Sequence, residues 1–166
     1  MSAGLCIVGI GASAGGYDAI RNFFRAMPED TGVAFVVVQH LDPKHSSLAA
    51  ELFAKYTAMP VSEAIDGQKI EANHVYTSPS DKEVAVKNGC LRLTPRASAK
   101  QLHLPIDHFF SSLGQDCGPR AIGIVLSGTG TDGTEFDRSP EGAPARRALM
   151  ALPKGLQEGQ IGRAHV

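Results

Sequence analysis

Three residues of this chain could together carry out acyl transfer: Ser13, His40 and Asp132. Ser13 is the centre of Gly11-Ala12-Ser13-Ala14-Gly15, which fits G-x-S-x-G, a turn that lifts a serine off the end of a strand. A serine hydroxyl is a weak nucleophile at neutral pH, so it needs a base within hydrogen-bond reach. A histidine can be that base when a carboxylate fixes its tautomer and steadies the imidazolium. The same stretch has a second reading. Gly9-Ile10-Gly11-Ala12-Ser13-Ala14 fits G-x-G-x-x-G/A, where glycines let a dinucleotide pyrophosphate approach the backbone. That reading needs an acidic residue at the end of the second strand, about 20 residues on, to hold ribose hydroxyls. Here the strand ends Val38-Gln39-His40, and Asp42 lies beyond it in a loop, so a nucleotide-binding module is disfavoured.

The elements that would position these residues can be read from hydropathy. Leu5 to Ile10 is a continuous apolar run ending in glycines, as expected of a strand buried on both faces. From Gly16 to Met27, Ile20, Phe23, Phe24 and Met27 recur at helical spacing, and Pro28 closes the segment. Val33 to Val38 is a second buried run. Ser46 or Ser47 could cap a helix with Leu48, Leu52, Phe53 and Tyr56 inward. Short strand-like pieces follow at Val61–Ile65, Val75–Thr77, Glu83–Lys87 and Cys90–Thr94, and Asn88-Gly89 is a hairpin signal. An antiparallel insertion or edge is expected there. Pro105 to Gly114 reads as a helix with Ile106, Phe109, Phe110 and Leu113 inward. Ala121 to Leu126 is a third buried strand before the glycine-rich turn Ser127–Gly133.

Strand and helix in alternation imply an α/β fold: a doubly wound, mainly parallel Rossmann-like sheet with helices on both faces and an antiparallel hairpin. The carboxyl ends of parallel strands open onto one edge, where active sites gather. Ser13, His40 and Asp132 each follow a buried strand. Singly, each has a plainer reading, as a turn residue or a structural histidine. Their joint placement favours the acyl-transfer constellation. The chain order Ser, His, Asp differs from the Ser, Asp, His order of α/β-hydrolases.

The length of 166 residues suits one domain, and 43% apolar and 20% charged residues are ordinary for a globular protein. A net charge of −1 argues against a nucleic-acid partner. No apolar run reaches a bilayer span, so no membrane insertion is expected. The first residues read as a strand and not as a signal peptide. Cys6, Cys90 and Cys117 form no C-x-x-C pair and are expected to be reduced thiols of a cytoplasmic protein. No zinc-type spacing is present, so neither a metal nor a cofactor is expected. His45, His74, His103 and His108 do not follow core strands and are assigned to surface or packing. Asp107 and His108 could line a cleft, but helix-surface positions are expected; Arg120 is read as structural.

The segments IVGIGASAGG, FVVVQHLDP and VLSGTGTDGT resemble the catalytic domain of CheB, the protein-glutamate methylesterase of bacterial chemotaxis, and PIDHFFSSL resembles that family's segment before the last core strand. The likeness runs over about residues 5–134, in the family's order. It implies hydrolysis of γ-glutamyl methyl esters, with deamidation of glutamines in some members, on the cytoplasmic helices of chemoreceptors. Ser13 would be the nucleophile, His40 the general base and then acid, and Asp132 the residue orienting His40. Backbone amides for the tetrahedral oxyanion could come from Ala14, Gly15 and Gly16, and from Thr129 and Gly130. Many members have methionine where this chain has Thr129. The wording GASAGG with SGTGTDG is similar to the branch in which the methylesterase leads a longer polypeptide, commonly followed by a CheR-type methyltransferase domain. A different class remains as an alternative, a catalytically silent domain that docks on receptors.

After Thr134 the character changes. Residues 1–134 are expected to form an incomplete methylesterase catalytic domain, and residues 135–166 an atypical tail, non-native or disordered. The family's helix and further strand are not recognisable there. Ile161-Gly162-Arg163-Ala164-His165-Val166 is what one frame of a common sequencing adapter would encode, which suggests a reading-frame slip or chimera.

Overall fold

The computed structural model describes residues 4–13, 16–40, 48–96 and 104–126, with the backbone of 146–150. The first apolar run forms β1 (Ile7–Ala12), and the chain turns into α1 (Tyr17–Ala26). β2 (Ala34–Gln39) follows, then the short α2 (Ala49–Phe53), β3 (Val61–Glu63) and β4 (Val75–Thr77). β5 (Lys82–Lys87) and β6 (Cys90–Pro95) make a hairpin. α3 (Pro105–Cys117) and a 3-10 turn (Gly118–Arg120) lead into β7 (Ala121–Leu126).

The main sheet has the order β3-β4-β2-β1-β7-β8, all parallel, with β8 formed by Arg146–Met150. The order runs outward from β1 in both directions, so the topological switch point lies between β1 and β7. An α/β sheet opens a crevice at that point, at the carboxyl ends of the strands. Two expectations from the sequence are corrected. β3 and β4 do not belong to an antiparallel insertion; they extend the parallel sheet beside β2. The connection 64–74 between them is long enough for the crossing that parallel strands require. No strand is legible after Thr134, yet the backbone of Arg146–Met150 pairs with β7, Ile122 opposite Arg146. The outer edge of a strand offers unpaired amides and carbonyls that accept a backbone of almost any sequence.

Side chains alternate across the sheet and build one core on each face. Val8, Ile10 and Ala12 of β1 join Phe35 and Val37 of β2 with Ile20 and Phe24 of α1 and Phe53 of α2. Phe24 meets Phe35 edge to face, with ring centroids 5.8 Å apart. Leu48, expected on the inner face of α2, is instead 56% exposed. The helix begins one residue later, so Leu48 occupies the cap position outside the helical repeat. On the other face, Ile7, Ala34, Val36 and Val38 pack with Ile106, Phe109, Phe110 and Leu113 of α3. Here β1 presents glycines. A Cβ on Gly9 would lie 2.7 Å from Phe109, and one on Gly11 would collide with Ile106. The glycines therefore let α3 lie directly on the central strand, with its first turn over the carboxyl end of β1.

The hairpin turns at Asn88 and Gly89, both left-handed with φ of 54° and 69°, as a two-residue type I′ connection requires. Its β5 edge is closed by α3. Ser112 Oγ accepts the Val86 N–H at 3.0 Å, and the Asp116 carboxylate accepts the amides of Asn88 and Gly89. His108 Nε2 lies 3.9 Å from Glu83 Oε2. Positions 108, 112 and 116 share one helix face. The outer β6 edge is met by the segment 66–70, through Gly67 N–H to Leu91 O, Leu91 N–H to Gln68 O and Leu93 N–H to Asp66 Oδ1.

Candidate active site

The carboxyl ends of β1 and β2 place Ser13 and His40. The β1–β2 ladder pairs Gly11 with Val38 and Ala12 with Gln39. It continues one step further, because the His40 amide donates to the Ala12 carbonyl at 3.2 Å. In a parallel ladder that bond belongs to the pair one rung on, so His40 stands opposite Ser13. Neighbouring strands lie about 4.8 Å apart in this direction. The period of two puts position 13 on the face of Ile7, Gly9 and Gly11, and position 40 on the face of Ala34, Val36 and Val38. Both are thus set on the side of α3. Both residues are half-buried, and both make further interactions.

The Gly16 amide donates to the Ser13 carbonyl at 2.8 Å, and α1 starts at Tyr17. Gly16 is the N-cap, so the positive end of the α1 dipole faces the rim that carries Ser13. Gly11, placed by the sequence motif in a turn, is a strand residue whose role is the close approach of Ile106. On the other flank of β1, Ala12 pairs with Leu126, so the segment after β7 leaves from the same rim. Asp132, Thr129, Gly130, Ala14 and Gly15 lie outside the described residues.

The remaining titratable residues sort themselves by packing. Asp107, expected on the helix surface, is 6% exposed in the first turn of α3, a correction that follows from α3 lying flat on glycines at this end. His108 is exposed on the hairpin side. His74 Nε2 is 2.9 Å from Ser62 Oγ, and its ring stacks on Tyr76 at 4.3 Å. Burial pushes its pKa below the usual histidine value, partly offset by the Glu71 charge. Arg120 donates from Nη1 to the Leu5 carbonyl at 3.1 Å, tying the entry of β1 to that of β7. Cys6, Cys90 and Cys117 are free thiols. Burial, helped by Asp116, raises the Cys117 thiol to about 11. Among the described residues no cluster of His, Cys, Asp and Glu could hold a metal ion, and no helix is long and apolar enough to cross a membrane.

One residue at this rim carries no signal in the sequence reading. Ser78, 4% exposed, follows β4 and contacts the end of β2. Only the strand pairing, which sets β4 beside β2, brings it there.

Residues 8–136 match the protein-family model described as CheB methylesterase. The chain is 35% identical over 144 residues to the protein-glutamate methylesterase/protein-glutamine glutaminase 1 of Xanthomonas euvesicatoria, covering 83% of this chain and 40% of that protein. It is 34% identical over 131 residues to the protein-glutamate methylesterase/protein-glutamine glutaminase of Photorhabdus laumondii, covering 76% of this chain and 37% of that one. The chain thus spans about 40% of the length of the first of these relatives. The fold is similar to the crystal structure of the Thermotoga maritima CheB methylesterase catalytic domain, with a TM-score of 0.72 and 26% identity, over 80% of this chain and 72% of that one. With the family model spanning most of the sheet and the rim that bears Ser13 and His40, the chain belongs to the CheB methylesterase family.

Proposed function

We propose that this chain is a protein-glutamate methylesterase that hydrolyses γ-glutamyl methyl esters on the cytoplasmic helices of bacterial chemoreceptors. The observation that carries the reading is the rung that sets His40 opposite Ser13 at the carboxyl edge of a parallel sheet. In this reading Ser13 Oγ attacks the ester carbonyl while His40 takes its proton. His40 then protonates the departing methoxide, releasing methanol. Water, activated by the same imidazole, cleaves the acyl-enzyme and restores the glutamate carboxylate. Asp132 orients His40 and stabilises its charged form. Amides of Ala14 and Gly15 hold the oxyanion, with Thr129 and Gly130 from the segment after β7; the Gly16 amide is already given to the Ser13 carbonyl. One such donor contributes roughly 3–4 kcal/mol to the transition state. Deamidation of glutamine follows the same path with ammonia as leaving group, and the relatives' names include that activity. The setting is cytoplasmic, and a CheR-type methyltransferase domain is the expected companion in the longer polypeptide.

The test is methanol release from a methylated chemoreceptor fragment, with Ser13→Ala alongside. Release that disappears in the variant supports the reading. Equal release from both, or none from a folded parent, overturns it.

A further inference from the structure

The β2–β4 ladder stops in an unusual way next to the proposed base. Phe35 N–H donates to His74 O at 2.9 Å, and Ser78 N–H donates to Val37 O at 2.9 Å. In a parallel ladder the following bond would run from Gln39 N–H to the backbone carbonyl of Ser78. The acceptor is instead the Ser78 side chain, with Gln39 N to Ser78 Oγ at 3.4 Å. Odd positions of β2 bond toward β4 and even positions toward β1. The end of β2 is therefore held from two sides: Gln39 by Ser78, and His40 by Ala12.

We infer that Ser78 is a positioning residue, whose hydroxyl closes the last hydrogen bond of β2 and so keeps His40 opposite Ser13. An alanine there would leave the Gln39 amide without that acceptor and loosen the last residue of β2. His40, which carries the imidazole, follows it directly. Loss of orientation costs rate more than binding, because a base displaced by a fraction of an ångström still leaves the substrate's other contacts intact. The kinetic part of this inference rests on the esterase reading; the structural part does not.

The experiment uses the full chain with Ser78→Ala and Ser78→Thr, read by ester hydrolysis and by amide hydrogen exchange. Ser78→Ala is expected to lower kcat about tenfold at unchanged KM, and Ser78→Thr, which keeps the hydroxyl, to restore it. In Ser78→Ala the Gln39 and His40 amides are expected to exchange about tenfold faster, with Val36 and Ile10 unaltered. Unchanged exchange at Gln39 and His40 overturns the inference, as does an unchanged kcat or a kcat that the threonine fails to restore. A parent with no Ser13-dependent hydrolysis sinks the esterase reading alone. The exchange rates then still decide whether Ser78 holds the end of β2.

Discussion

The His40 amide donates to the Ala12 carbonyl at 3.2 Å, and that single bond sets the imidazole-bearing residue level with Ser13 on the adjacent strand. Positions 13 and 40 are far apart in the chain, yet their relative placement is fixed by two central strands and needs no mobile loop. Groups that act as one unit are not additive. Ser13→Ala and His40→Gln are each expected to lower kcat by about 10⁴-fold or more, and the double variant to fall no further than the worse single one. Steady-state kinetics on the three variants checks this. A double variant whose loss is the product of the single losses would show that the two residues act separately.

Gly11 makes a second prediction, about packing. Its missing side chain is the space that Ile106 fills, so α3 rests on the strand that leads to Ser13. Gly11→Ala overpacks this contact and is expected to destabilise the fold by about 1–3 kcal/mol. The companion change Ile106→Val removes volume at the point of collision and is expected to recover part of the loss. Urea unfolding of the two single variants and their combination forms the cycle; strict additivity would mean that the two residues do not compete for that space.

Much of this arrangement was legible in the sequence, for reasons that can be named. Ile7–Ile10, Ala34–Val38 and Ala121–Leu126 are buried on both faces, so their apolar runs are unbroken and easily recognised as central parallel strands. Asn88-Gly89 marked its hairpin because both positions take positive φ. The parallel placement of β3 and β4 was not legible, since three-residue strands carry no pattern that distinguishes parallel from antiparallel pairing. The strand at Arg146–Met150 gave no signal because a backbone ladder at a strand edge accepts almost any sequence. Ser13 and His40 could be placed at strand ends from sequence, but the contact of Ser78 with Gln39 depends on strand order.

His74 supplies a pH prediction. Burial lowers its folded-state pKa below the unfolded value, about 6.5. The native state then binds fewer protons than the unfolded chain as the solution is acidified. The contribution of neutral His74 is fully present above about pH 6.5 and is lost as the pH falls through the lowered folded value. The ring has neutral contacts to keep, the Ser62 hydroxyl at 2.9 Å and the Tyr76 face. Urea midpoints at pH 7.5 and 5.5 are expected to differ more for the parent than for His74→Asn, which cannot titrate. Equal differences would place the acid sensitivity elsewhere.

The hairpin's attachment to α3 rests on few bonds, which makes it separable by mutation. The Asp116 carboxylate receives both turn amides, Asn88 and Gly89, and Ser112 Oγ receives the Val86 amide. These are edge and turn groups that would otherwise be lost to solvent or left unsatisfied against the helix. Hydrogen bonds to a charged group contribute about 1.5–3 kcal/mol each, against about 0.5–1.5 kcal/mol for the neutral one. Asp116→Ala should therefore destabilise more than Ser112→Ala, and Asp116→Asn, which keeps one acceptor oxygen, should fall between. Because Val84, Val86 and Leu91 bury the hairpin's other face in the α3-side core, opening is expected to start at the turn. Hydrogen exchange checks the order: in Asp116→Ala the amides of Asn88 and Gly89 gain most, Val86 less, and those of β1 not at all. Uniform acceleration across the sheet would instead mean that the hairpin and the sheet that carries Ser13 open as one unit.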